Sequence, residues 1–110
     1  MNTRQKGDIS EEKAVEFLEN LSFEIIDRNF YTRFGEIDII AKKNNILHFI
    51  EVKSGKNFQS IYNVTPKKLQ RIIKTLNLYL QKNRLNNSYQ IDVITIDNDK
   101  IEFIENISMF

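Results

Sequence analysis

The sequence predicts an α/β protein: a mixed sheet of about five strands flanked by helices, in the order α-β-β-β-α-β-β. Three observations predict it. Apolar residues recur at helical spacing in two stretches, around residues 14–21 and 69–80. Five short runs rich in Ile, Val, Phe and Tyr fill the intervals between and after them. Several of these runs are almost continuously apolar, as in strands covered on both faces.

The elements follow in order. Asp8 with Glu11 three residues on makes a capping-box pattern, and Ala14, Val15, Leu18 and Leu21 follow at helical spacing. This predicts helix 1 over about residues 9–21. Phe23-Glu24-Ile25-Ile26 reads as a strand, and Gly35 to Ala41 as a second. Asn44-Asn45 is a tight-turn pair leading into a third strand, Ile46 to Lys53. A polar loop runs from Ser54 to Asn63. Thr65-Pro66 starts helix 2, Thr as cap and Pro at the first helical position. Its apolar stripe is Leu69, Ile72, Ile73, Leu76 and Leu80, giving a span of about 66–82, ended by Asn86-Asn87-Ser88. Tyr89 to Ile96 is a fourth strand, and Asn98-Asp99 turns it into a fifth, Lys100 to Ile104.

Composition excludes several classes. At 110 residues the chain is expected to form one domain, residues 1–110. With no Cys there is no disulfide scaffold, thiolate zinc site or cysteine nucleophile. The single His, His48, argues against a multi-His metal site or a Ser-His-Asp triad. No stretch has the roughly 18 apolar residues of a membrane span, and Met1 to Asp8 lack a signal-peptide core, so a cytoplasmic location with no membrane partner is expected.

The middle hairpin carries the chemistry. With Asn44-Asn45 as its tip, Asp38 is expected opposite Glu51 and Glu36 opposite Lys53. Two facing carboxylates in a partly dry site either share a proton or hold a divalent cation between them. Oxygen-only ligands suit Mg²⁺ or Mn²⁺. Lys53 projects from the same strand face as Glu51, where it can orient a water or steady a phosphate oxygen. Glu11, at the start of the buried stripe of helix 1, is a third acid aimed at the same pocket. Each also has a plainer reading: Glu11 as a helix-dipole residue, Glu36–Lys53 as a cross-strand ion pair. His48 falls on the face opposite Glu51 and reads as a packed histidine. Asp92 reads either as support for the site or as a structural partner for a backbone amide.

The net charge of +1 hides a partition. Between Val52 and Ile91 there is no acid, while Lys53, Lys56, Lys67, Lys68, Arg71, Lys74, Lys82 and Arg84 all fall there. The remaining eight basic residues share the rest of the chain with all 15 acids. Lys67, Arg71 and Lys74 lie on one helix face away from the apolar stripe, and Lys56 sits in the preceding loop. Such a surface beside a metal site suits a polyphosphate backbone, so nucleic acid is the expected partner.

Asp38 followed by Glu51-Val52-Lys53 resembles the PD-(D/E)xK nuclease signature. More closely, the chain is similar to the YraN family of small bacterial proteins. Glu11 with Ala14, Arg28-Asn29, Gly35-Glu36-Ile37-Asp38, Phe49-Ile50-Glu51-Val52-Lys53, Val64 with Lys68 and Arg71, and Ile91-Asp92-Val93 match its motifs. The resemblance covers about Gly7 to Phe110. It departs at Ser10, at Ser54-Gly55 after the motif lysine, and near Gln90, where the family often has Gly, Arg and Arg. The family is considered related to Holliday-junction resolvases. The resemblance therefore implies a restriction-endonuclease-like fold and Mg²⁺-dependent hydrolysis of structured or branched DNA. It implies a homodimer too, because a junction has two symmetric cleavage points. Asp38, Glu51 and the Val52 carbonyl would ligate the metal, Glu11 would complete the shell, and Lys53 would position the attacking water. Lys56, Lys67, Lys68, Arg71 and Lys74 would hold the backbone. The alternatives are a non-catalytic nucleic-acid-binding module on the same fold, and a structural or partner-binding protein.

Overall fold

A computed structural model of the chain describes residues 3–55 and 65–107, with side chains from Ile9 onward. Its elements are α1 (Thr3–Asn20), β1 (Glu24–Thr32), β2 (Gly35–Lys43), β3 (Ile46–Ser54), α2 (Pro66–Lys82), β4 (Tyr89–Asp97) and β5 (Lys100–Ile104). The expected α-β-β-β-α-β-β order holds. The strands form one sheet in the order β1-β2-β3-β4-β5. Neighbours are antiparallel except β3 and β4, which are parallel and joined through α2.

A helix covers each face. Leu69, Ile72, Leu76 and Tyr79 of α2 pack on Ile40, Leu47, Phe49, Ile91 and Val93. Ala14 and Leu18 of α1 pack on Ile39, Ala41, Ile50, Ile94 and Ile96. Period-2 alternation thus sends odd and even positions of β3 and β4 to opposite cores. This is why the central strands read as unbroken apolar runs.

Turn chemistry sets the edges of the elements. Asn44 and Asn45 both have positive φ (52° and 64°), the conformation a two-residue hairpin turn requires. Thr65 caps α2 as expected, its hydroxyl accepting from the Lys68 amide at 3.2 Å, with Pro66 in the first turn. That helix ends at Lys82, matching its expected span, where Arg84 takes a positive φ and the Leu85 amide donates back to the Leu80 carbonyl.

Three expectations are corrected. Helix α1 begins at Thr3, placing Asp8 inside it instead of at its cap; Arg4, Gln5 and Lys6 are good helix formers. At its other end Ser22 has φ 72° and the Phe23 amide donates to the Leu18 carbonyl. This closure turns Phe23 into the core and leaves Leu21 outside the helix, exposed. Strand β1 runs on to Thr32, because a bulge between Ile25 and Asp27 absorbs the polar stretch that looked like a strand end.

At the end of the sheet where β4 begins, His48 and Asp92 settle into a structural role. Asp92 is fully buried, and its carboxylate meets three donors. His48 Nδ1 lies 2.6 Å from Oδ2, while Gln90 Nε2 and the Asn106 amide each donate to Oδ1 at 2.8 Å. The tie joins β3, β4 and the segment after β5. Asp92→Ala leaves all three groups without this partner, so it should lower unfolding free energy by about 2–4 kcal/mol in urea denaturation. A loss under about 0.5 kcal/mol would show that the tie carries little.

Candidate functional site

Strict alternation would keep Glu36 and Asp38 with Glu51 on the α2 face of the sheet and leave Glu11, on α1, behind the other face. A local break gathers them. Ile37 packs in the α2 core, whereas Ile39, two residues on, packs in the α1 core. The chain therefore turns over at Asp38. The predicted hairpin register holds from Lys43↔Ile46 to Ile39↔Ile50 and the ladder ends there. Beyond it the Asp38 side chain, not a backbone carbonyl, accepts the Val52 amide at 2.8 Å. Across β1, the pairs Arg28↔Ile39 and Phe30↔Ile37 bracket Asn29 at the level of Asp38, and Asn29 has φ 54°. Left-handed backbone is one that asparagine tolerates better than most residues.

That conformation serves the acids. Asn29 Nδ2 lies 2.9 and 3.1 Å from the two oxygens of Glu11 and 2.9 Å from Glu36 Oε1. Arg28 Nη2 is 3.8 Å from Glu11 as well, and its Nη1 pairs with Glu12. One oxygen from each of Glu11, Glu36 and Asp38 lies within 4.8 Å of the others. The expected Glu36–Lys53 pair is absent among the described residues: with the ladder open at Asp38, Glu36 turns to Asn29 instead.

Glu51 stands beside this trio on β3. It accepts the Asp38 backbone amide. Its Oε2 is 4.0 Å from Lys53 Nζ, and its Oε1 is buried with no hydrogen-bond partner among the described residues. Burial pushes the Asp38 carboxyl up to about 6; the Val52 amide opposes this, and the charges of Glu11 and Glu36 add to it. Burial pushes Glu51 further, to about 8, and the Asp38 charge adds to the rise while Lys53 opposes it. Two acids this close titrate as a pair.

An unpartnered buried oxygen is costly unless something outside the chain satisfies it. A hard divalent cation fits that requirement. The donors are all oxygen, and several carboxylates crowd one spot, which matches the preference of Mg²⁺ or Mn²⁺. Glu11, Glu36 and Asp38 are close enough to share such an ion, and Glu51 stands beside them. Val52 enters the site through its amide, which holds Asp38 in place.

A cavity of about 200 Å³ opens next to the acids, lined by Glu36, Glu51, Lys53, Lys68, Arg71 and Phe34 among others. The structure thus brings Lys68 and Arg71 of α2 to the site. Lys74 sits one turn along, its Nζ 5.4 Å from the Phe34 ring. Lys67 is exposed and does not line the cavity, and Lys56 lies outside the described residues. None of Lys67, Lys68, Arg71 or Lys74 pairs with a carboxylate among the described residues.

Residues 10–96 match the model of a family described as "Uncharacterised protein family UPF0102". The chain belongs to the UPF0102 family. A UPF0102 protein of Aliarcobacter butzleri is 53% identical over 109 residues, covering 97% of this chain and 99% of the relative. One from Helicobacter pylori strain HPAG1 is 52% identical over 105 residues, covering 96% and 92%. One from Wolinella succinogenes is 50% identical over 107 residues, covering 97% and 99%. These relatives match this UPF0102 chain across the whole site.

Asn29, which links Glu11 to Glu36, stands out in the sequence only as half of the Arg28-Asn29 motif, with no role attached, and Phe34, on the cavity wall, does not stand out at all. Glu51 supplies a prediction for the UPF0102 site. Its carboxyl keeps a proton up to about pH 8 when folded, against an ordinary value of 4.5. Between those limits the folded chain binds more protons than the unfolded one, so stability falls as pH rises. In chelator, the wild-type Tm should drop from pH 5 to pH 8. Glu51→Gln should raise the pH 8 stability by roughly 2–4 kcal/mol and have little effect at pH 5. A variant no more stable than wild type at pH 8 would contradict the buried-carboxylate assignment.

Proposed function

We propose that this protein is a Mg²⁺- or Mn²⁺-dependent endonuclease that hydrolyses phosphodiester bonds in structured or branched DNA. The observation that carries the reading is Glu51 Oε1, buried beside Asp38 with no hydrogen-bond partner among the described residues, at a cavity whose lining includes Lys68 and Arg71, which pair with no described acid. Carboxylates that repel each other and a cation-lined wall are what a metal ion and a phosphate together would complete.

Each residue then has a task. Asp38 and Glu51 hold the metal, with Glu11 and Glu36 as further oxygen donors and the Val52 carbonyl as a backbone one. When bound, the ion supplies charge to offset the phosphate and activates a water. Lys53, within 4.0 Å of Glu51, orients that water and stabilises charge developing on the phosphate. Lys68, Arg71 and Lys74 hold the backbone in register, with Lys56 and Lys67 extending the track.

One observation favours a second reading, a non-catalytic nucleic-acid-binding module on the same fold. The Asn29 amide already satisfies Glu11 and Glu36 without any ion.

Cleavage of a branched DNA in Mg²⁺ and in Mn²⁺ separates the two. Asp38→Asn and Glu51→Gln should each slow cleavage about a hundredfold or more, equivalent to roughly 3 kcal/mol of barrier. Equal cleavage by wild type and Asp38→Asn ends the catalytic assignment. Calorimetric titration of Mn²⁺ should give heat with wild type and none with the Asp38→Asn/Glu51→Gln double variant. A folded wild-type protein that takes up no Mn²⁺ favours the binding module.

A further inference from the structure

The tie between His48 and Asp92 uses one imidazole nitrogen and leaves the other over. Nδ1 lies 2.6 Å from Asp92 Oδ2, while the other two donors to that carboxylate go to Oδ1. A carboxylate oxygen accepts, so Nδ1 carries the hydrogen and Nε2 keeps its lone pair. The His48 side chain is only 7% exposed. No described group bonds Nε2, yet it is not sealed from solvent either: among the described residues Glu51 Oε1 alone is both buried and without a partner. The Phe23 ring stands edge-on to the imidazole, centroids 4.8 Å apart at 90°, and fixes its tilt.

His48 opens on a cavity of about 330 Å³, separate from the one beside Glu51. Ile50, two residues along β3, packs in the α1 core with Phe23, so His48 lies on the α1 face of the sheet and Glu51 on the other. Phe23, Phe103 and Ile46 give this second cavity apolar walls, and Gln90, Glu105 and Lys43 give it polar ones.

The polar groups left over at its wall are acceptors. Lys43 is engaged already, its Nζ donating to the Leu21 carbonyl at 2.7 Å and lying 5.1 Å from the Phe23 ring centre. Gln90 Nε2 donates to Asp92 Oδ1 at 2.8 Å and to Glu105 Oε1 at 3.3 Å, which leaves its carbonyl oxygen. One ligand-type atom from each of His48, Asp92 and Glu105 lies within 4.8 Å of the others. An exposed glutamate by itself means little. Here it stands beside an imidazole that is more than nine-tenths buried and held in one tautomer by a fully buried carboxylate. Histidines that bind metals are held in this way: the carboxylate orients the ring and makes the free nitrogen a better donor.

We infer that His48 Nε2 and the Glu105 carboxylate form a second metal site, for a borderline divalent ion such as Zn²⁺, with Asp92 holding the imidazole and the Gln90 carbonyl as a further donor. Mixed nitrogen and oxygen donors suit Zn²⁺ and give little to Mg²⁺, while Mn²⁺ stands at the weak end of the affinity order. The oxygen-only cluster around Asp38 has the opposite preference, so the two faces of the sheet select different metals. The site stands whether or not the acid cluster supports hydrolysis.

His48 is the only histidine in the sequence, so the ring-nitrogen NMR signals of the untagged protein report on it alone. Equimolar Zn²⁺ near neutral pH should shift the Nε2 signal and leave Nδ1 protonated. Glu105→Gln, a change at an exposed residue that should keep the fold, should weaken this uptake about tenfold or more in calorimetric titration. The Asp38→Asn/Glu51→Gln variant should give the same Nε2 shift as wild type. A ring signal unmoved by Zn²⁺ overturns the site. So does a shift that Glu105→Gln leaves at full strength, or one that disappears in the Asp38→Asn/Glu51→Gln variant. The two readings fail separately. A Zn²⁺ shift at Nε2 with no metal-dependent DNA cleavage keeps this site and removes the nuclease; cleavage that depends on Asp38, with an unmoved ring, does the reverse.

Discussion

The hydrogen bond from the Val52 amide to the Asp38 carboxylate is the contact on which the site depends. In a regular antiparallel ladder that amide would meet a carbonyl of β2. Here the ladder ends one pair earlier, at Ile39↔Ile50, and a side chain takes over. The substitution lets β2 turn over, so that Ile37 and Ile39 enter opposite cores. Without the turnover, alternation would keep Glu11, approaching from α1, apart from Glu51 and the cations of α2. Asn29 makes the matching concession on β1 by entering the left-handed region. The irregularity is local and two strands wide, and it lies where the carboxylates meet.

Two buried acids in the same sheet show what this arrangement costs. Asp92 is as deeply buried as any residue in the protein, and each of its oxygens has a partner. It ties elements together and asks for nothing further. Glu51 is less buried, at 14% side-chain exposure, yet one of its oxygens is orphaned and its nearest carboxylate repels it. A fold that satisfies Asp92 so fully has the means to satisfy Glu51. Stored electrostatic strain in one of two comparable acids is the mark expected of a functional site and not of a structural one, and it supports the metal-binding role proposed for Glu51.

Much of this was legible in the sequence, for physical reasons that differ by element. The apolar stripe of α2 and its Thr65-Pro66 start depend on local spacing and local capping, and both hold. So does the Asn44-Asn45 turn, and with it the register that sets Asp38 near Glu51. The point where regular pairing stops could not be read. Extending the register past Ile39 gave a Glu36–Lys53 pair that the opened ladder does not make. The role of Asn29 could not be read either: the polar stretch around it looks like the end of a strand, and nothing local shows that its amide bridges Glu11 and Glu36. The start of α1 was misplaced because Asp8 with Glu11 mimics a cap inside a helix that had already begun.

The charge partition gains its meaning from the fold. An acid-free segment could have been a solvated surface, with its cations dispersed around α2. Instead the crossover from β3 to β4 lays α2 along the face where Glu51 and Lys53 emerge, and Lys68 and Arg71 line the same cavity as those acids. Opposite charges this near could have closed the cavity by pairing. They do not: Lys53 alone approaches Glu51, and even that only to 4.0 Å, while Lys68 and Arg71 make no ion pair to a described acid. With Glu51 met only by Lys53 and with Lys68 and Arg71 paired to no described acid, the cavity has an acidic wall and a basic one. A positive ion suits one wall and an anion the other, and a metal-bound phosphate presents both at once.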